Sequence, residues 1–185
     1  MIFSLISHLV NGVKEGVTAG LKGAADVASK VVEVTKNTTV SVLKGTGDFA
    51  KEALDVPASV VKGAFTGISE IGVSVITAAK GVINGTVQGL MESGCAQDTA
   101  VRGVVAQSLH SAKDLSLDIG ETAVESVKGA VDAVKQVGGD TVDATKTAVI
   151  AAIDTAKELG VDVVETVKDS LSTGVERAKD LMESL

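Results

Sequence analysis

His110 and Asp114 stand four residues apart, a spacing that places two side chains on one face of a helix. Such a pair could share a proton or supply two corners of a metal site. A metal site needs three or four converging ligands, however, and the only other histidine is the distant His8. Cys95 is the single cysteine, so no internal disulfide can form and no thiolate cluster can be completed. It has no neighbouring histidine in sequence to activate it as a nucleophile. Its expected role is that of a small residue near a turn. The carboxylates recur so regularly that they read as a solvated helix face rather than as acid–base pairs. No phosphate loop, dinucleotide fingerprint or hydrolase motif occurs. The residues predict a protein that is not an enzyme, with no cofactor, metal or small-molecule substrate.

Composition narrows the classes further. The 185 residues are 45% hydrophobic and carry a net charge of −7, with 17 Lys plus Arg against 24 Asp plus Glu. That balance lacks the concentrated basic footprint of a nucleic-acid binder, and the apolar content is too high for a simple solvated coil. There is no Trp or Tyr, and the only aromatics are Phe3, Phe49 and Phe65. Val, Ala, Ile and Leu must therefore supply most of any buried area. Twenty Gly with one Pro is an unusual ratio for a loop-rich globule. The first ten residues lack a basic segment followed by a long apolar one, and are not read as a signal peptide. No run of 18 apolar residues occurs, which argues against a transmembrane span.

The elements that would carry these residues are set by an internal repeat. The C-terminal third divides into VDAVKQVGGDT, VDATKTAVIAA, IDTAKELGVDV, VETVKDSLSTG and VERAKDLMESL. The same register extends back to Val10, giving sixteen blocks of eleven. The second slot is polar in every block, and the fifth slot is basic in ten. Eleven residues over three turns is about 3.67 per turn, close to the relaxed α-helix, so a stripe with this period runs nearly straight along it.

Slots one, four, seven, eight and eleven form an apolar arc, and slots two, six and ten carry the acids on the opposite side. The interface stripe reads Val10, Leu21, Val32, Leu43, Leu54, Phe65, Ile76, Val87, Leu109, Val131, Val142, Ile153, Val164, Val167, Leu171 and Val175. Asp98 and Gly120 interrupt its first column. A basic boundary runs beside it through Lys14, Lys36, Lys80, Arg102, Lys113, Lys135, Lys146, Lys157, Lys168 and Lys179. Such side chains can lay their stems on apolar surface while their charges reach water. Gly12, Gly16 and Gly20, and likewise Gly81, Gly85 and Gly89, form ladders that would let helix backbones approach closely. A glycine-rich repeat also yields such ladders by accident.

Loops of arbitrary length would break the phase, and here it is kept. The expected fold is all-α without a β-sheet: a very long amphipathic helix or helices, with an apolar segment at 1–9 and sixteen in-phase repeats at 10–185. Fully extended, it would span about 280 Å at 1.5 Å per residue. The clearest weakness is Ser93 to Asp98, where one antiparallel hairpin would create arms 10–92 and 99–185. Gly45 to Asp48, Pro57 and Gly138 to Asp140 are weaker candidate kinks.

Blocks such as VDATKTAVIAA and VERAKDLMESL, with the segment Val10 to Val17, resemble the eleven-residue repeats of perilipins and synucleins in their use of Val, Thr, Gly and Lys. Late-embryogenesis proteins, phasins and exchangeable apolipoproteins share the style. The resemblance implies reversible coating of a lipid droplet, vesicle or granule by a long helix. The stripe would insert at headgroup level with its acids in water. The second expectation is a self-assembling structural protein that buries the same stripe in a bundle, tube or filament. A stress-protective role is a weaker third, since the threonine column of Thr122, Thr155 and Thr166 is interrupted by Ala133 and Ala144. Partners are expected to be a lipid surface, copies of the chain in a homo-oligomer, or both, and no nucleic acid. The expected location is cytoplasmic, peripheral on a lipid surface or within an assembly.

Overall fold

Between residues 65 and 141 every second block of eleven ends in a turn. In a computed structural model of the protein, which describes residues 2–46 and 55–184, the described residues form nine helices and no strand: α1 (Ile2–Leu21), α2 (Val27–Thr46), α3 (Asp55–Glu70), α4 (Val75–Glu92), α5 (Gln97–Asp114), α6 (Ile119–Gln136), α7 (Thr141–Leu159), α8 (Val161–Gly174) and α9 (Ala178–Glu183). The all-α expectation holds, but the very long helix does not. Helices α4, α5 and α6 are each 18 residues long, and with a four-residue turn each fills two repeat blocks. The chain can therefore reverse repeatedly without losing its eleven-residue phase. Unbroken phase does not distinguish one long helix from this arrangement.

The turns are built alike. A residue with positive φ follows each helix at Gly72, Gly94, Ser116 and Gly138, 22 residues apart. The next amide bonds back to the carbonyl five residues earlier, as in Cys95 to Leu90 at 3.0 Å, Leu117 to Ala112 at 2.8 Å and Gly139 to Val134 at 2.9 Å. These bonds satisfy carbonyls that the helix end would leave orphaned. A capping side chain then opens α6 and α7: the Asp118 carboxylate accepts from the Glu121 amide at 2.8 Å, and that of Asp140 from the Val142 and Asp143 amides, whereas Ala96 before α5 offers none. In the turn before α2, Asp26 accepts from both the amide and the hydroxyl of Ser29. Those hydrogen bonds hold its carboxyl below the ordinary carboxylate value. The segment 93–98 is thus one turn in a series, not a unique hairpin, and 138–140 is its equal. Pro57 lies in the first turn of α3, where a missing amide donor costs little. Gly45 lies within α2, and 47 and 48 fall outside the described residues.

Ser116 is the non-glycine member of this turn series, with φ 55°. A left-handed backbone costs an L-residue roughly 1–2 kcal/mol. Ser116→Gly is expected to raise the unfolding free energy by about 1 kcal/mol in a denaturant titration, with an unchanged m-value; a loss of stability would contradict the strain.

The helices alternate between two layers. Odd-numbered helices α1, α3, α5, α7 and α9 pack in one and even-numbered helices α2, α4, α6 and α8 in the other, while successive helices pack across. Paired positions within a layer rise together. Gly63 faces Val10 and Gly67 faces Lys14, while Gly81 faces Val31 and Gly89 faces Thr39. Neighbours in a layer therefore run parallel. The core between the layers is mostly valine and alanine, with Phe65 its largest fully buried side chain. Two buried threonines return their hydroxyls to their own helix, Thr39 to the Thr35 carbonyl and Thr86 to that of Val82, each at 2.8 Å, while Thr147 of α7 donates to the Asp98 carboxylate of α5 at 2.9 Å. Ser108 and Ser126 join hydroxyls between α5 and α6 at 2.7 Å. The helices on either side of 93–98 continue the same two layers.

Candidate interaction surface

The stripe is spent largely inside the molecule. Leu21, Leu43, Phe65, Val87, Leu109, Ile153, Val167 and Leu171 are buried. Val10, Val32, Ile76, Val131, Val164 and Val175 are partly buried. Val142 is 64% exposed, and Leu54 lies outside the described residues.

Several of the boundary cations reach the next helix of their own layer. Lys14 of α1 meets Glu70 of α3 at 3.1 Å, Lys36 of α2 meets Glu92 of α4 at 3.2 Å, and Lys80 of α4 meets Asp132 of α6 at 2.7 Å. Arg102 and Lys157 pair within their own helices, with Asp98 and Asp154. Lys113 donates to the Leu159 carbonyl at the end of α7 at 3.2 Å, where a helix C-terminus favours a cation. Lys135, Lys146, Lys168 and Lys179 are exposed and have no ion-pair partner among the described residues.

Two features of this lattice escaped the sequence pattern. Lys62, outside the basic column, bridges α3 to Asp114 of α5 at 3.1 Å. The acids of the sixth slot are not simply a solvated back either: Glu70, Glu92 and Asp114 receive the lysines of the preceding helix in the layer. The signal was present as a basic fifth slot followed by an acidic sixth, but only the fold joins different blocks. The pair that opened the case for chemistry is divided among these contacts. His110 faces Glu158 of α7 at 3.6 Å, and Asp114 faces Lys62. Cys95 is half-buried in the turn before α5. Among the described residues, no group of three metal-ligating side chains converges.

The glycine ladders differ from each other. A Cβ at Gly85 would strike the Val32 carbonyl and come within 2.9 Å of the Lys36 amide. One at Gly89 would lie 2.7 Å from Thr39, and one at Gly81 would strike Val31. This column is the bed on which α2 lies against α4. In α1, Gly20 approaches Val34 closely, Gly16 makes ordinary contact with Thr38, and Gly12 faces open space.

Among the described residues, the large hydrophobic side chains left exposed are Val142 of α7 and Val161 of α8. At the N-terminal end, α2 presents Lys30, Glu33, Asn37 and Ser41, all exposed and polar. At the other end Val161 is 88% exposed, and a groove runs past it along Lys157, Val164, Glu165, Lys168 and Asp169.

This is the geometry of a helical repeat. The crystal structure of a de novo designed helical repeat protein is similar to this chain, with a TM-score of 0.52 and 19% identity over 95% of this chain and 94% of that one. At that identity the likeness concerns the fold alone. No family model matches the chain, and no curated protein matches it. No described helix is long and apolar enough to cross a membrane.

Proposed function

We propose that the chain is a non-enzymatic structural scaffold: a two-layer helical repeat that associates with copies of itself, in the cytoplasm. The observation that carries this reading is where the stripe goes. Its buried members pack against other helices of the same chain, and four of its boundary cations, Lys14, Lys36, Lys80 and Lys113, reach a neighbouring helix. Among the described residues, the large hydrophobic side chains left exposed are only Val142 and Val161. Coating a droplet or vesicle with the whole stripe would require the layers to separate. In lipid-free buffer, size-exclusion chromatography with light scattering is expected to show a helical oligomer of defined mass. A disordered monomer would refute the scaffold.

A further inference from the structure

Turns of four residues at 71–74, 93–96, 115–118 and 137–140 join α3 to α4, α4 to α5, α5 to α6 and α6 to α7. Three of them carry glycine at the residue of positive φ. Glycine there relieves the turn and also opposes a continuous helix. The turn between α5 and α6 has neither safeguard. Ser116 holds φ 55° without being glycine, and neither glycine nor proline occurs from Val104 to Ile119. Serine costs more than glycine in a left-handed turn and less in a helix. The straightened form is also well patterned. The eleven-residue phase runs through the turn, so a continuous helix from Gln97 to Gln136 would set Ala112, Leu115, Ile119 and Ala123 in one row of the apolar arc, with Asp114 and Asp118 on its acidic back. Helical bonding already reaches the turn, where the Leu115 amide bonds the Ser111 carbonyl at 3.0 Å.

We infer that the turn at 115–118 is a hinge: it straightens, α5 and α6 become one helix, and two copies of the chain exchange halves, α1–α5 of each packing with α6–α9 of the other. The exchange presupposes the self-associating scaffold and gives its mode of association. Contacts between the halves are recovered across the copies. They include the Ser108–Ser126 hydroxyl pair, Lys80 with Asp132, Asp98 with Thr147, and the Gln97 side-chain amide, which brackets the Asp140 backbone. Exchange of an identical element is a low-cost route to a dimer for this reason. Only the hinge differs. It gives up the Leu117–Ala112 amide bond and the Asp118 cap on the Glu121 amide. In their place it takes the bonds of a continuous helix, and the Ser116 backbone leaves its left-handed conformation.

Sedimentation velocity of the full chain, refolded from denaturant over a range of concentrations in lipid-free buffer, is expected to show monomer and dimer. Ser116→Gly favours the turn, and is expected to lower the dimerisation constant about tenfold per hinge, hence about a hundredfold for the two hinges of a dimer. Asp118→Ala removes the cap that opens α6 and is expected to raise it. A constant that Ser116→Gly leaves unmoved would overturn the hinge, as would a fall with Asp118→Ala. A chain bearing Cys95→Ser, Ser108→Cys and Ser126→Cys separates exchanged halves from joined surfaces. The two hydroxyls it replaces stand 2.7 Å apart, close enough for a disulfide in their place. Its isolated, oxidised dimer is expected to run as a covalent dimer on a denaturing gel without reductant and as a monomer with it. Disulfides confined within single chains would overturn the exchange while leaving the scaffold reading standing. A wild type that stays monomeric at all concentrations would overturn both.

Discussion

Phe65→Ala is expected to lower the unfolding free energy by about 4 kcal/mol, within the range for truncating a fully buried phenylalanine. The side chain is completely buried and is the largest in a core otherwise built from short aliphatics. It sits on α3, which packs against helices of both layers: α1 and α5 in its own, α2 and α4 in the other. Small neighbours have little reach with which to refill the space, so the cavity should persist rather than collapse. Since natural domains are held by only about 5–15 kcal/mol, a loss of that size should be plain in a chemical denaturation curve. A change under 1 kcal/mol would place Phe65 outside the core.

Gly85→Val should cost about 3 kcal/mol, at the upper end for overpacking, and lower the melting temperature by about 10 °C for a chain of this size. Its Cβ alone would strike the Val32 carbonyl and crowd the Lys36 amide. These are backbone atoms of α2, so relief requires the helices to separate and not merely a rotamer change. Gly12→Ala is the matched control, because its Cβ meets nothing within 4 Å. Alanine there should be neutral, or stabilising by up to about 1 kcal/mol through helix propensity. Equal effects at the two sites would show that the Gly81–Gly89 column is not a helix bed.

The same contrast shows how far residue spacing could be read. Both ladders have glycine every fourth position, and nothing in that spacing distinguishes the column that carries α2 from the one containing an open Gly12. The difference arises from which face each helix turns to its layer, a property of the stack. Helicity was legible because the apolar residues hold the 3.67-residue period of a relaxed helix. Helix length was not, because an 18-residue helix and a four-residue turn sum to two repeat blocks and leave no phase shift to detect. The turn chemistry offered the missing clue: Gly72, Gly94 and Gly138 share one register, but Ser116 occupies their position without being glycine, which hid the series. The partners of the lysines could not be named from spacing, since Lys14 and Glu70 lie 56 residues apart and meet only across two parallel helices. Val161 was outside the stripe as read and opens α8, where it is 88% exposed.

The central claim is that the stripe is satisfied within the chain. Circular dichroism in lipid-free buffer, repeated with vesicles, tests it most directly. The two-layer repeat predicts a strongly helical spectrum without lipid, a cooperative melt, and no gain in helicity when vesicles are added. A chain that is disordered in buffer and becomes helical only on the vesicles would contradict it.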